Sequence, residues 1–151
     1  MEDYQALAKV LKPFISLVTW PGNPDTPLRI AILGGAGFGT ELDAVMGRTT
    51  VGGRKVKLTY LTTSSFLSAP PECDVLFIDR GEESRITSIL SKTGGKPILT
   101  LGYLEGSSRK GVMVNFYVDG SRIRFEVNRS RVQEAGLTVS SHLLSIAKFM
   151  E

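Results

Sequence analysis

Four groups of residues in this sequence have the types from which chemistry is built. The first is Gly34-Gly35-Ala36-Gly37-Phe38-Gly39, which follows an apolar run and precedes helix-forming residues. Free backbone N–H groups in that context can attract a phosphate. The spacing departs from G-x-G-x-x-G, because Thr40 stands where the last glycine belongs, and no Lys-Ser/Thr pair completes a P-loop. These residues read as a glycine-rich strand-to-helix turn. The second group is Ser140, Ser141 and His142. A hydrolytic role would need an acid to orient the imidazole and an oxyanion hole, and the sequence places neither. Ser140 as a helix N-cap explains the pair of serines more simply. The third is Cys73, the one cysteine, at the start of the apolar run Val75-Leu76-Phe77-Ile78. It reads as a small buried hydrophobe. With a single Cys and a single His far apart, and no Asp-rich loop, no metal site and no cofactor is expected.

The fourth group lies on a hairpin. Val112–Val118 and Ser121–Val127 flank Asp119-Gly120, the strongest short-range signal for a tight β-turn. Pairing outward from a turn centred on Asp119-Gly120 sets Phe116 opposite Ile123, Val114 opposite Phe125 and Val112 opposite Val127, all on a core face. The other face then carries Tyr117 with Arg122, Asn115 with Arg124 and Met113 with Glu126. Asn115, Arg122, Arg124 and Glu126 could line a ligand or partner site, or form a solvated face with a cross-strand ion pair. Downstream, Asn128 caps a short helix closed by Gly136. A last helix is expected from Ser140, burying Leu143, Leu144, Ala147 and Met150.

The elements that must position these residues come earlier in the chain. Tyr4, Leu7, Ala8, Leu11, Phe14, Ile15 and Val18 have helical spacing, with a kink or break expected at Pro13 and an end before Trp20-Pro21. Leu28–Leu33, interrupted only by Arg29, reads as a buried strand. A short helix is expected over 40–46. Val56, Leu58 and Tyr60 alternate with Lys55, Lys57 and Thr59 as a half-exposed strand. Residues 62–71 read as a loop with a helical turn, Asp74–Ile78 as a second buried strand, Glu82–Lys92 as a helix and Pro97–Leu101 as a third strand. The alternation implies a parallel sheet with helices on its faces. The expected fold is thus α/β: a single domain over 1–151, with a mixed β-sheet of parallel buried strands plus a C-terminal antiparallel hairpin, flanked by helices.

A chain of 151 residues can bury a core without a disulfide or metal staple. Its 18 Lys and Arg against 15 Asp and Glu leave a net charge of only +3, and the basic residues are scattered. That argues against nucleic-acid binding, which concentrates Lys and Arg on one stripe. No apolar run approaches the roughly 20 residues needed to cross a bilayer, so no membrane insertion is expected. The opening Met1-Glu2-Asp3 is acidic and leads into no signal-peptide h-region. Two explanations remain open: a cytoplasmic protein, or a sequence that starts after a removed export signal.

Several stretches, in their order and spacing, resemble the YfiR family of periplasmic regulators. They are Val18-Thr19-Trp20-Pro21, Leu28-Arg29-Ile30-Ala31-Ile32-Leu33-Gly34, Gly47-Arg48-Thr49-Thr50-Val51-Gly52-Gly53-Arg54-Lys55-Val56, Cys73-Asp74-Val75-Leu76-Phe77-Ile78 and Pro97-Ile98-Leu99-Thr100-Leu101. The densest stretch is Arg124-Phe125-Glu126-Val127-Asn128, followed by Ala135-Gly136-Leu137, Ser140-Ser141 and Leu143-Leu144. The resemblance implies an exported, periplasmic, non-catalytic protein. It implies contact with the periplasmic domain of a membrane-bound diguanylate cyclase, hence a role in cyclic-di-GMP signalling and biofilm control, and a homodimer. Members often carry extra cysteines; the lone Cys73 removes a disulfide-based version of that mechanism. Members also tend to have more glycine before the hairpin than the Ser107-Ser108-Arg109-Lys110-Gly111 found here.

The expected working surface is the hairpin face and the turn that follows: Asn115, Arg122, Arg124, Glu126, Asn128, Thr138, Ser140, Ser141 and His142. The other possibilities are a small-molecule-binding extracytoplasmic sensor domain from a larger membrane receptor and, more weakly, a nucleotide-binding enzyme domain built on the glycine-rich loop.

Overall fold

The computed structural model describes residues 2–21, 26–34, 43–44, 50–51, 53–104, 111–120, 122–140 and 148–149. Helix α1 spans Glu2–Ile15 and buries Leu7, Ala8, Leu11, Phe14 and Ile15 along one stripe. Pro13 does not break it; the helix runs two residues further. A proline deletes one backbone donor and crowds the carbonyl four residues back. In the last turn that loss is small, and the Ser16 hydroxyl and amide take up the Pro13 and Lys12 carbonyls. Val18 leaves the helical stripe: Val18–Thr19 is a short strand, β1.

The other strands are β2 (Leu28–Leu33), β3 (Thr50–Val51), β4 (Arg54–Leu61), β5 (Val75–Ile78), β6 (Leu99–Gly102), β7 (Val114–Asp119), β8 (Arg122–Val127), β9 (Thr138–Val139) and β10 (Lys148–Phe149). Eight form one sheet in the order β10-β8-β7-β6-β5-β2-β4-β3, while β1 and β9 pair apart from it. Strands β4, β2, β5, β6 and β7 run parallel to one another; β3–β4 and β7–β8 are antiparallel. The domain is therefore the mixed α/β sheet that the alternation implied.

Because side chains alternate along a strand, β2 serves two cores. Leu28, Ile30 and Ile32 pack beneath α1 with Val75, Phe77, Leu99, Leu101, Val114 and Phe116. Ala31 and Leu33 face the opposite layer with Leu76, Ile78, Phe66 and Ile89. That second layer is built by α2 (Thr63–Ser68) and α3 (Ile86–Ser91). Thr62 caps α2 by accepting from the Ser65 amide. The single helix expected over Glu82–Lys92 is instead a 3₁₀ turn, Arg80–Arg85, leading into the shorter α3. The Glu82 carboxylate accepts from the Thr63 hydroxyl and so ties this turn to α2.

The hairpin turn sits one residue later than Asp119-Gly120. The ladder pairs Asp119 with Arg122, Val118 with Ile123, Tyr117 with Arg124, Phe116 with Phe125, Asn115 with Glu126 and Val114 with Val127. Every partner moves by two positions from the expected register. An even slip preserves the faces, so the apolar and polar sets survive while their pairings change. Gly120, at φ +65°, supplies the left-handed residue the turn needs. Phe14 sets its ring edge-on against both Phe116 and Phe125 and so clamps the hairpin to α1.

Asn128 caps α4 (Arg129–Glu134) through the Arg131 amide, and Gly136 closes it at φ +77°. The C-terminal helix does not run to Met150, because Lys148–Phe149 is a strand lying parallel to Glu126–Val127. There it covers part of the outer edge of β8, which would otherwise leave backbone donors and acceptors open. The rest of that expected helix, the glycine-rich loop beyond Gly34 and most of the 40–46 helix lie outside the described residues; Asp43 and Ala44 are helical.

Candidate functional site

The hairpin's polar face divides along its length. At its base, Asn115 is fully buried. Its Oδ1 accepts from the Leu104 amide at 2.8 Å and its Nδ2 donates to the Leu104 carbonyl at 3.1 Å. The side-chain amide thus acts as a peptide group that extends the β6–β7 pairing, and it is spent on the fold. Glu126, its cross-strand partner, is also buried. Towards the tip the face opens: Tyr117 is half-buried, and Arg122 and Arg124 are exposed. Val118 is exposed on the opposite face of the tip.

Asn128 is occupied as the cap of α4. Thr138 is exposed on β9, opposite Thr19, and the Ser140 amide donates to the Leu17 carbonyl at 2.9 Å. Ser141 and His142 lie outside the described residues. The structure therefore brings Arg122 and Arg124 to one open surface, pairs Thr138 with β1 on the side of the core beneath α1, and turns Asn115 and Glu126 inward.

A second polar constellation was not anticipated. Arg29, second in β2, and Asp74, just before β5, become neighbours because the strands run parallel with Ile30 beside Val75. The Arg29 amide donates to Asp74 Oδ2 at 2.9 Å, and the Asp74 amide donates to the Arg29 carbonyl at 2.8 Å. The Arg29 guanidinium bonds both Asp74 oxygens, and Arg54 approaches Oδ2 at 3.6 Å. The Asp74 carbonyl accepts from the Leu99 amide and from Trp20 Nε1, each at 2.9 Å, which fills both of its lone pairs. Arg54 and Asp74 keep only 12% and 14% of their side-chain surface, whereas Glu72, the outer partner of Arg29, is 89% exposed. Hydrogen bonding to Asp74 raises the Arg29 guanidinium above its ordinary value. A cleft of about 440 Å³ opens here, floored by Ile15, Val18, Leu28 and Val51 and walled by Trp20, Arg29, Arg54 and Asp74.

One signal could have found this cluster. Arg29 is the only charge in an apolar strand, and Asp74 directly precedes the next one. Parallel neighbours set two such positions side by side.

Cys73, the residue before Asp74, is buried as expected, and burial pushes its thiol up to about 11. Among the described residues no three His, Cys, Asp or Glu side chains gather to hold a metal ion, and no helix is long and apolar enough to cross a membrane.

The model of a protein family described as DUF4154, YfiR/HmsC-like, matches residues 4–148. The chain belongs to the YfiR/HmsC-like family. This family is regulatory rather than catalytic. Both regions described above fall within the matched span. So do the stretches through Trp20-Pro21, Leu28-Arg29 and Cys73-Asp74, which the fold gathers into one cluster at the start of the parallel strands.

The fold is also similar to a solved structure described as the ABC domain in complex with L-Trp from Streptococcus pneumonia. The TM-score is 0.63 at 14% sequence identity, over 97% of this chain and 62% of that one. At that identity the likeness is one of fold, and this YfiR/HmsC-like chain spans under two thirds of its length.

Proposed function

We propose that this protein is a non-catalytic regulator of the periplasm that represses, or senses for, a membrane-bound diguanylate cyclase by contacting the cyclase's periplasmic domain. The observation that carries this is the YfiR/HmsC-like match over nearly the whole chain. The working surface is the outer half of the hairpin's polar face, Arg122 and Arg124, together with the Thr138–Ser140 segment that follows α4. A regulator needs a stiff platform. Here Val114, Phe116, Phe125 and Phe14 hold the strands that carry the two arginines. Exposed arginines on such a platform suit an acidic patch on a partner, since complementary charge guides encounter and fixes register. The active form is a homodimer, built on matching patches of two copies.

The decisive experiment is Arg124→Glu, assayed for binding to the isolated periplasmic domain of the cyclase and for repression of cyclic-di-GMP synthesis. Binding should fall about tenfold or more with the circular dichroism unchanged, as for charge reversal at an interface. A folded variant that binds and represses like the wild type would show that this face is only solvated surface.

The Asp74 cleft favours a second reading, a sensor domain that takes a small molecule. Its volume suits a modest organic ligand, and its lining mixes an indole and prolines with two arginines and a carboxylate. The similar fold from Streptococcus was solved with an amino acid bound. Screening amino acids by thermal shift separates the two readings: a ligand-dependent rise in Tm that Trp20→Ala abolishes favours the sensor.

A further inference from the structure

The segment Leu17–Trp20 touches both the Thr138–Ser140 turn and the Asp74 cleft. At its start, the Leu17 carbonyl accepts from the Ser140 amide at 2.9 Å. In its middle, Val18 pairs with Val139 and Thr19 with Thr138. At its end, Trp20 Nε1 donates to the Asp74 carbonyl at 2.9 Å. Val18, Thr19 and Trp20 also line the cleft together with Arg29 and Asp74. Four consecutive residues thus run from the turn after α4 to the start of the parallel strands.

We propose that Leu17–Trp20 is a strap that couples the Asp74 cleft to the Thr138–Ser140 turn, so that a change at either end alters the other. The coupling holds whichever partner the hairpin face takes. A two-residue ladder outside the main sheet is marginal on its own. Such elements open locally at far lower free energy than the core unfolds. The strap is held by the β1–β9 ladder, the buried Val18 side chain, the indole N–H and the packing of Leu17 and Trp20 against the core. Losing one end therefore weakens the rest of a short, cooperative unit. An extended chain four residues long cannot absorb a displacement of Trp20 without moving Thr19 against Thr138. Because coupling between two sites is reciprocal, the effect must be measurable from both ends.

Two variants of the full chain test this. Trp20→Phe keeps an aromatic ring in place and deletes only the Nε1 donor. Amide hydrogen exchange at Ser140 should then accelerate by about tenfold, with Ile32 and Phe77 unchanged, as expected for local rather than global opening. From the other end, Ser140→Pro removes the N–H that bonds Leu17, and the proline restricts Val139 only to the extended backbone it already has. Trp20 is the sole tryptophan, so its emission should shift red and its acrylamide quenching should rise. If Ser140→Pro loses native circular dichroism, Thr138→Gly weakens the same ladder without deleting a donor and takes its place. Ser140 exchange unchanged in Trp20→Phe overturns the proposal. So does Trp20 quenching unchanged in the folded C-terminal variant, or acceleration that is equal at Ser140, Ile32 and Phe77.

Discussion

The two polar regions are built from the same residue types to opposite ends. Around Asp74, two arginines converge on one carboxylate, backbone groups complete the set, and Arg54 and Asp74 are largely withdrawn from water. On the hairpin, Arg122 and Arg124 extend from alternate positions of one strand into solvent. The difference is topological. Parallel neighbours bring residues from distant parts of the chain together at one end of the sheet. An antiparallel hairpin near the sheet edge leaves its tip with strands on one side only. A charge is thus buried or exposed according to where the sheet puts it, not according to its type.

The comparison can be broken most severely beneath the hairpin. Val114→Asp sets an unpaired carboxylate in the core under α1. It should destabilise by more than about 4 kcal/mol and abolish cooperative unfolding, checked by thermal melts. A folded Val114→Asp protein would mean that the platform is not the rigid element described. The next effects separate inward from outward polar residues. Asn115→Leu leaves the Leu104 amide and carbonyl unpaired and should cost about 2–3 kcal/mol in urea unfolding. Asp74→Ala removes the carboxylate beside Arg54, which keeps its bonds to Thr26 and the Pro27 carbonyl, and takes an acceptor from the Arg29 amide and guanidinium. The partial exposure of Arg29 tempers the loss, so about 2 kcal/mol is expected. Arg124→Glu, on the open half of the same hairpin face as Asn115, should lie within about 0.5 kcal/mol of wild type. If Arg124→Glu costs as much as Asn115→Leu, the division of the face into a buried structural half and an exposed half is wrong.

A smaller effect concerns pH. The Cys73 thiol rises from 9.0 unfolded to about 11 folded because burial disfavours the thiolate. The unfolded chain therefore loses that proton first. The stability contributed by the neutral thiol is fully present below pH 9.0 and is lost as pH rises towards about 11. Cys73→Ala should flatten stability across that window. The native thiol should also react slowly with disulfide reagents at neutral pH, since the thiolate is the nucleophile.

Much of the fold was legible because local chemistry and global packing agreed. The runs Leu28–Leu33, Val75–Ile78 and Leu99–Leu101 are apolar on both faces because both faces of the sheet are covered. Asn128 and Gly136 bracket α4 with a cap and a left-handed residue, signals carried by single side chains. The hairpin's two faces followed from alternation alone. What alternation could not set was the register, because its period of two is blind to a slip of two. Nor could it separate Asn115 from Arg124. Both are polar residues at outward positions, but Leu104 reaches over the base of the hairpin and not over its tip.

By itself, the sequence determined the α/β class, the parallel strands, the hairpin faces, the capped helix and the inert cysteine. Each is written in a period or in a neighbouring residue. Only the tertiary structure decided the union of Trp20, Arg29, Arg54 and Asp74, the β1–β9 pairing, the strand at Lys148–Phe149 and the burial of Asn115 and Glu126. These depend on which strand lies beside which, and at what offset. Strand order is a property of the whole chain's packing, and no local window contains it.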